Sequence, residues 1–170
     1  MDTLLIITIS GPDRAGLVEQ LAEGIAANGG NWEHSRMIHL GDRFVGLLQV
    51  SVAGDRQQDL ESVIRAVPDL DVLIAPTGTE VPVAKSERIL QLEVTGSDHP
   101  GIVRDIFQAM ARVGANVESL RTESGKAAES GGLLFHAKAR LSAPPGLDIE
   151  RLRANLEAIA QDIMIDIELS

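Results

Sequence analysis

The chain has 170 residues, which fits either one domain or two small ones. Its 25 acidic and 15 basic residues give a net charge of −10, so a phosphate backbone would be repelled and direct nucleic-acid binding is not expected. The absence of cysteine excludes disulfides, thiolate metal ligands and cysteine nucleophiles. The first apolar run carries Asp2, has no basic residue and is too short to span a bilayer, so we expect a cytoplasmic protein that does not contact membranes.

The first half of the chain predicts four strands and two helices. The strands are expected over residues 4–9, 31–40, 44–52 and 70–75, with a hairpin turn at 41–43. The helices are indicated by apolar residues at helical spacing, namely Leu17, Val18, Leu21, Ala22 and Ile25, then Leu60, Val63, Ile64 and Val67. Gly29-Gly30 is expected to end the first helix.

The second half predicts the same order of elements. Strands are expected over residues 89–95, 116–122, 133–141 and 164–169, and the hairpin at 123–132 is longer and rich in Gly, Ala and Ser. A helix is predicted from Pro100 to Val113, and a second helix carries Ile149, Leu152, Leu156 and Ile159. Residues 77–86 show no periodicity, which predicts a linker between domains at 1–76 and 87–170.

The two halves are copies of each other. Residues 7–36 align with residues 92–121 at a shift of 85, and nine of these 30 positions are identical. The identical pairs are Gly11/Gly96, Asp13/Asp98, Gly16/Gly101, Val18/Val103, Ala26/Ala111, Gly29/Gly114, Asn31/Asn116, Glu33/Glu118 and Arg36/Arg121. The order βαββαβ in each copy predicts an α+β fold with two ferredoxin-like units, each an antiparallel sheet with both helices on one face.

The segment after the first strand of each copy is the strongest candidate for a binding site. It joins a strand to a helix N-terminus, where free backbone N–H groups and the helix dipole favour a carboxylate or a phosphate. Asp13, Asp98, Asn31 and Asn116 could supply polar partners for an amino acid. An alternative role for Asp13 and Asp98 is capping of the helix that follows.

Catalytic and metal-binding patterns are missing from the sequence. The residues His34, His39, His99 and His136 have no metal-ligand spacing, and no Walker loop, dinucleotide fingerprint or Ser-His-Asp order is present. We therefore expect neither an enzyme nor a bound cofactor. A regulator that responds to a ligand and an interaction module that binds no small molecule both remain open.

With D-x-x-G-L/I-V opening a helix and G-G/A-N opening a strand, within a duplicated βαββαβ unit, the chain resembles the ACT domain family. Its ending, FHAKARLSAPPGLDIERLRANLEAIAQDIMIDIEL, resembles the second half of the glycine cleavage system transcriptional repressor family, which has two ACT domains. The resemblance implies a regulator that senses glycine or a similar amino acid and acts through a protein partner, a transcription regulator. It further implies pockets that form between paired domains, near the first strand-to-helix turn.

The resemblance also implies which residues would bind the ligand. By motif they are Asp13, Arg14, Gly16 and Asn31 in the first copy, and Asp98, His99, Gly101 and Asn116 in the second. The first copy has Arg14-Ala15 where the second has His99-Pro100, so the two sites need not be equivalent.

The strand pattern makes a further prediction about association. Leu5, Ile7 and Ile9, like Leu90, Leu92 and Val94, should face the helices of their own copy. The opposite face is apolar in the first copy, with Leu4, Ile6, Val45 and Leu47, but polar in the second, where Glu93 should pair with Lys138 or Arg140. We therefore expect a homo-oligomer or a contact between the domains that covers the first of these faces.

Overall fold

The structure is a computed structural model that describes residues 2–77, 88–126, 132–163 and 165–169. The chain divides into two compact units, and each has the predicted βαββαβ order. The first unit contains β1 (Asp2–Pro12), α1 (Leu17–Ala27), β2 (Asn31–Leu40), β3 (Arg43–Ala53), α2 (Gln57–Arg65) and β4 (Asp71–Thr77). The second contains β5 (Arg88–Ser97), α3 (Ile102–Arg112), β6 (Asn116–Lys126), β7 (Leu133–Ala143), α4 (Ile149–Ile163) and β8 (Ile165–Leu169).

The two sheets have the same topology. Their strand orders are β2-β3-β1-β4 and β6-β7-β5-β8, and every neighbouring pair is antiparallel. The first strand of each unit is therefore central, between the third and the fourth. This order is that of the ferredoxin-like fold, so the predicted fold class is confirmed.

Alternation along the central strands separates a helix-facing side from an outer side. Leu5, Ile7 and Ile9 are fully buried together with residues of α1 and α2, as the period of two predicts. Leu90 and Val94 are buried in the same way in the second unit. The core of each unit therefore lies between one face of its sheet and its own two helices.

Several boundaries differ from the sequence predictions. Helix α3 begins at Ile102 and not at Pro100, because Gly101 is its N-cap residue. Strand β6 continues to Lys126, so the first part of the predicted hairpin is strand, whereas residues 127–131 lie outside the described residues. Helix α2 ends at Arg65, and Val67 is buried beyond its end.

The proposed domain boundaries stay a prediction. Strand β4 ends at Thr77 and strand β5 begins at Arg88, and residues 78–87 lie outside the described part of the chain.

Each second strand contains a one-residue irregularity at the same place in the repeat. The pairing of β2 with β3 shifts between Trp32 and His34, and that of β6 with β7 shifts between Val117 and Ser119. The extra residues are Glu33 and Glu118, which are identical in the two copies. A bulge changes the direction in which the side chains after it point. The two copies therefore share a specific strand shape as well as a hydrophobic pattern.

Close packing at Gly46 gives a stability prediction. A Cβ at this residue would lie 2.9 Å from Cγ1 of Ile9 and 3.0 Å from Cγ of Met37, on neighbouring strands. We expect Gly46→Ala to lower the free energy of unfolding by about 1–3 kcal/mol, because both side chains must move. Urea denaturation measures this loss. The control is Gly125→Ala, where no atom lies within 4 Å, and an equal loss in both variants would contradict the packing explanation.

Candidate functional site

The turn between β1 and α1 depends on the backbone of Gly16. This residue is the N-cap of α1 and has φ of +81°, in the left-handed region that residues with a Cβ rarely adopt. Its carbonyl oxygen accepts the first helical hydrogen bond, from the N–H of Gln20, at 2.9 Å. Gly101 has the same role in α3, with φ of +93°. The identity of these glycines in both copies therefore has a conformational cause.

The capping role considered for Asp13 and Asp98 is wrong. The N-cap positions belong to Gly16 and Gly101, and neither helix has a side-chain hydrogen bond at its cap. An Asp located three residues before the cap is too early in the chain to accept a bond from the first helical turn in the usual way. Both aspartates are thus available for another function.

A surface cavity of about 280 Å³ lies at this turn in the first unit. It is lined by Asp13, Arg14, Gly16, Leu17, Val18, Glu19 and Phe44. Three of the four candidates from the first copy, Asp13, Arg14 and Gly16, therefore lie together. No atom lies within 4 Å of the Cβ position at Gly16, so the backbone there is accessible to a ligand.

Strand register adds two residues to this site that sequence reasoning missed. Phe44 pairs with Gly11 across β1 and β3, and His39 pairs with Phe44 across β2 and β3. Nε2 of His39 consequently lies 3.9 Å from Oδ2 of Asp13. Nothing in the linear spacing indicates this proximity, because it arises only when the three strands pair.

The lining of the cavity is suited to a small zwitterion. The first amide groups of α1, from Leu17 onward, have no acceptor within the helix and carry the positive end of its dipole. Asp13 and Glu19 provide negative charge nearby, whereas Arg14 donates to Oε1 of Gln20 at 2.8 Å. Val18 was expected on the buried stripe of α1 but is 46% exposed, and it forms an apolar wall of the cavity.

The equivalent turn of the second unit is covered by an arginine. Nη2 of Arg104 lies 2.9 Å from the Cβ position at Gly101, over the backbone that is accessible at Gly16. Nε of Arg104 donates to Oδ1 of Asp105 at 2.8 Å, and this hydrogen bond lowers the pKa of the Asp105 carboxyl. Arg104 corresponds to Glu19 in the repeat, so the two turns differ in charge as well as in access.

The remaining candidates of the second turn, Asp98 and His99, both make local contacts to backbone carbonyl groups. The backbone N–H of Asp98 donates to the carbonyl oxygen of Leu133 at 2.9 Å. Nδ1 of His99 lies 3.3 Å from the carbonyl oxygen of Ser97.

Within each unit the two asparagines are far from the turns. Asn31 shares a row of the sheet with Ser51 and Leu4, which is eight residues along β1 from Pro12. At ~3.3 Å per residue this separation is about 26 Å. Asn116 shares a row with Ile89 at the corresponding end of the second sheet. Within its own unit each asparagine therefore lies at the end of the sheet opposite the turn, because β2 and β6 begin at that far end. Binding of a ligand by these asparagines stays a prediction.

Asn116 belongs to a hydrogen-bonded group of its own. Its Nδ2 donates to Oε1 of Glu118 at 3.1 Å, and Oγ of Ser142 donates to the same oxygen at 2.6 Å. The bond from Ser142, followed by that from Asn116, holds the pKa of Glu118 below the usual range of a glutamate. This group lies at the bulge of β6. The presence of an asparagine at residue 116 is therefore explained by its hydrogen bond within the strand.

Within the described ranges, no three or more His, Asp or Glu side chains are grouped so as to hold a metal ion. The helices of the same part of the chain are all too short or too polar to cross a membrane.

Comparison with known proteins agrees with the fold. Residues 3–74 and 88–170 each match the model of the ACT domain, so the chain belongs to the ACT domain family. An unknown protein from Galdieria sulphuraria has a crystal structure with a TM-score of 0.85 and 27% sequence identity, covering 100% of this chain and 98% of that one. The crystal structure of a "putative glycine cleavage system transcriptional repressor" gives 0.71 and 18%, with coverage of 100% and 97%; at this identity the likeness concerns the fold. No curated protein shows significant sequence similarity to the chain.

The group around Glu118 gives a pH-dependent prediction. Because folding lowers the pKa of this carboxyl, its contribution to stability is present above the glutamate pKa of the unfolded chain and is lost as the pH falls through the folded-state pKa. We expect Glu118→Gln to lower Tm at neutral pH, and the difference from wild type to shrink below the glutamate range. The matched control is Glu33→Gln, at a bulge residue whose carboxylate has no hydrogen bond to another side chain among the described residues. A difference that does not change with pH would contradict this assignment.

Proposed function

We propose that the chain is a regulatory protein that senses a small amino acid at the turn between β1 and α1 and acts on a protein partner. The observation that carries this proposal is the cavity at Gly16, where free helix amides and the carboxylates of Asp13 and Glu19 lie around one space. Amides at a helix N-terminus suit the carboxylate of an amino acid, and the side-chain carboxylates suit its ammonium group. Membership of the ACT domain family supports the same reading.

The ligand that this cavity favours is small. Its volume of about 280 Å³ is at the lower limit of ligand pockets, which range over roughly 300–1,000 Å³. Glycine, or an amino acid little larger, would meet the amides and the carboxylates without displacing Val18 or Phe44. The fold likeness to a protein called a glycine cleavage system repressor is consistent with glycine.

The output of the sensor would be a contact with another protein, a transcription regulator. A net charge of −10 disfavours direct contact with a nucleic-acid backbone. The cavity residues do not form a nucleophile–base pair of the kind that catalysis requires. A non-catalytic role in the cytoplasm, in which the protein responds to its ligand by contacting another protein, fits these features best.

In this proposal Asn31 and Asn116 would contact a ligand only under one condition. Asn31 and Asn116 are too far from the turn of their own unit to contact the same ligand. They would take part only if pairing of ACT domains brings the start of such a strand to another domain's turn.

A second candidate function is an interaction module that needs no small molecule. The observation in its favour is the second turn, where the guanidinium group of Arg104 lies next to Gly101 and donates a hydrogen bond to the carboxylate of Asp105. If the first turn also bound no ligand, the two units would serve only as protein-binding surfaces. Ligand titration separates the two functions.

The main test of the proposed function is a thermal-shift screen with the twenty amino acids. A ligand at 100 times its Kd stabilises the folded state by about 2.7 kcal/mol, so we expect glycine or a small relative to raise Tm. Asp13→Ala should remove the response, because the ligand ammonium loses its partner. Asp98→Ala, the matching change in the second unit, should leave the response intact.

Two outcomes would contradict the proposal in different ways. If none of the twenty amino acids raises Tm, the interaction module is the better reading. If an amino acid raises Tm equally in wild type and in Asp13→Ala, sensing takes place at another site.

The cover over Gly101 predicts the stoichiometry of binding. Wild type should bind one amino acid per chain in isothermal titration calorimetry, because Arg104 occupies the second turn. Arg104→Ala exposes the backbone of Gly101 and should raise the stoichiometry to two. Arg112→Ala, at the other end of α3, serves as the control and should still bind one. Two ligands per wild-type chain would show that the arginine does not block the turn.

A further inference from the structure

The sheet of the first unit has a largely apolar face on the side opposite its helices. We call it the first outer face. It consists of the residues that alternate with the buried ones along β1 to β4. Its large apolar members are Leu4, Ile6, Ile38, Leu40, Val45, Leu47 and Leu73, and Thr8, Arg36 and Gln49 lie among them. Leu47 is 48% exposed and Leu73 is 68% exposed, so the helices of the first unit leave this surface uncovered. A contiguous apolar surface of this kind is typical of an interface.

The first outer face also contains a depression. A cavity of about 290 Å³ lies among Ile6, Leu47, Gln49 and Arg36, residues of β1, β3 and β2. It is separate from the cavity at the turn before α1, where we propose that the amino acid binds. Leu47 lies at its wall, and Leu73 is on the same face two strands away.

The corresponding sheet face of the second unit carries charged side chains, and we call it the second outer face. Thr8 and Leu47 are directly opposite each other on β1 and β3, and the corresponding pair on β5 and β7 is Glu93 and Lys138. Nζ of Lys138 lies 3.2 Å from Oε1 of Glu93, and Nε2 of His136 lies 2.9 Å from the same oxygen. The two units therefore differ at this position: Leu47 and Leu73 lie on either side of Thr8 in the first, whereas Glu93 and Lys138 form an ion pair in the second.

We propose that the first outer face is the contact surface for the same face on a second copy of this chain. A twisted sheet face is best complemented by another sheet face, because the side chains of the two interdigitate at a spacing of about 10 Å. The second outer face is a poor partner for it, since such a contact would bury Glu93, His136 and Lys138 against leucines. The same apolar face on another copy has the matching chemistry, and a two-fold axis between the copies makes the contact self-complementary.

The size of the first outer face predicts a reversible dimer. Four strands at ~4.8 Å and about eight residues at ~3.3 Å give a face of roughly 500 Å² per copy. The total of about 1,000 Å² is near the lower limit for a specific interface. Association should therefore depend on concentration, with a Kd in about the micromolar range.

Sedimentation equilibrium of the full chain over a series of concentrations tests the proposal. We expect wild type to change from monomer to dimer as its concentration rises. The double variant Thr8→Glu/Leu47→Lys introduces the pair that the second unit carries at the same positions, and it should weaken the dimer at least tenfold. The matched control Glu93→Thr/Lys138→Leu makes the opposite exchange on the second outer face and should leave the dimer of the first face in place.

A third variant keeps the test decisive if the double variant does not fold. Leu73→Lys changes a largely exposed residue of the edge strand β4, so it should keep the native circular dichroism spectrum and also weaken the dimer. Two outcomes would overturn the proposal. A wild-type chain that stays monomeric at its highest soluble concentration has no such interface, whatever else covers the face. A dimer of unchanged Kd in folded Leu73→Lys and in the double variant has its interface elsewhere.

Discussion

The period of two along the central strands is the constraint on which the rest of this structure depends. Because β1 and β5 send alternate side chains to opposite faces, Leu5 and Leu90 and the residues in register with them bury one face of each sheet against two helices. Both helices of a unit lie on that side, so nothing in a βαββαβ unit covers the other face. Each copy therefore has an outer sheet face that its own helices leave uncovered. In the second copy this face carries charged side chains, whereas in the first it carries leucine and isoleucine.

A second consequence of duplication is seen at the turns before the first helices. Gly16 and Gly101 are identical because both begin a helix from the left-handed region, where a Cβ is strained. Glu19 and Arg104 occupy the first turn of the helix on its exposed side, where the fold imposes little constraint and the two copies carry opposite charges. The backbone that can hold a ligand is thus shared by the two copies, but the side chains that decide access are not. The proposed sensor is asymmetric for this reason.

Much of the fold and part of the candidate site could be read in the linear pattern. Hydrophobic periodicity predicted the elements and the inward faces, since burial depends on local alternation, and the cross-strand pair of Glu93 and Lys138 followed from the same register. The joint location of Asp13, Arg14 and Gly16 was predictable because they are neighbours in sequence. The distance of Asn31 from them was not, because it depends on the direction in which β2 returns across the sheet.

The sequence by itself determined that this chain is two copies of one ACT-type unit, which faces of its strands are apolar, and where helix amides meet a strand. These properties are local, since they depend on residue spacing, glycine conformation and the repeat. Only the tertiary structure decided that His39 and Phe44 join the first turn, that Arg104 lies over the second, and that Asp13 is no cap. The first of these facts depends on strand register, which arises from pairing between segments that are distant in the chain. The other two depend on the backbone conformation of the turns and on the path of single side chains.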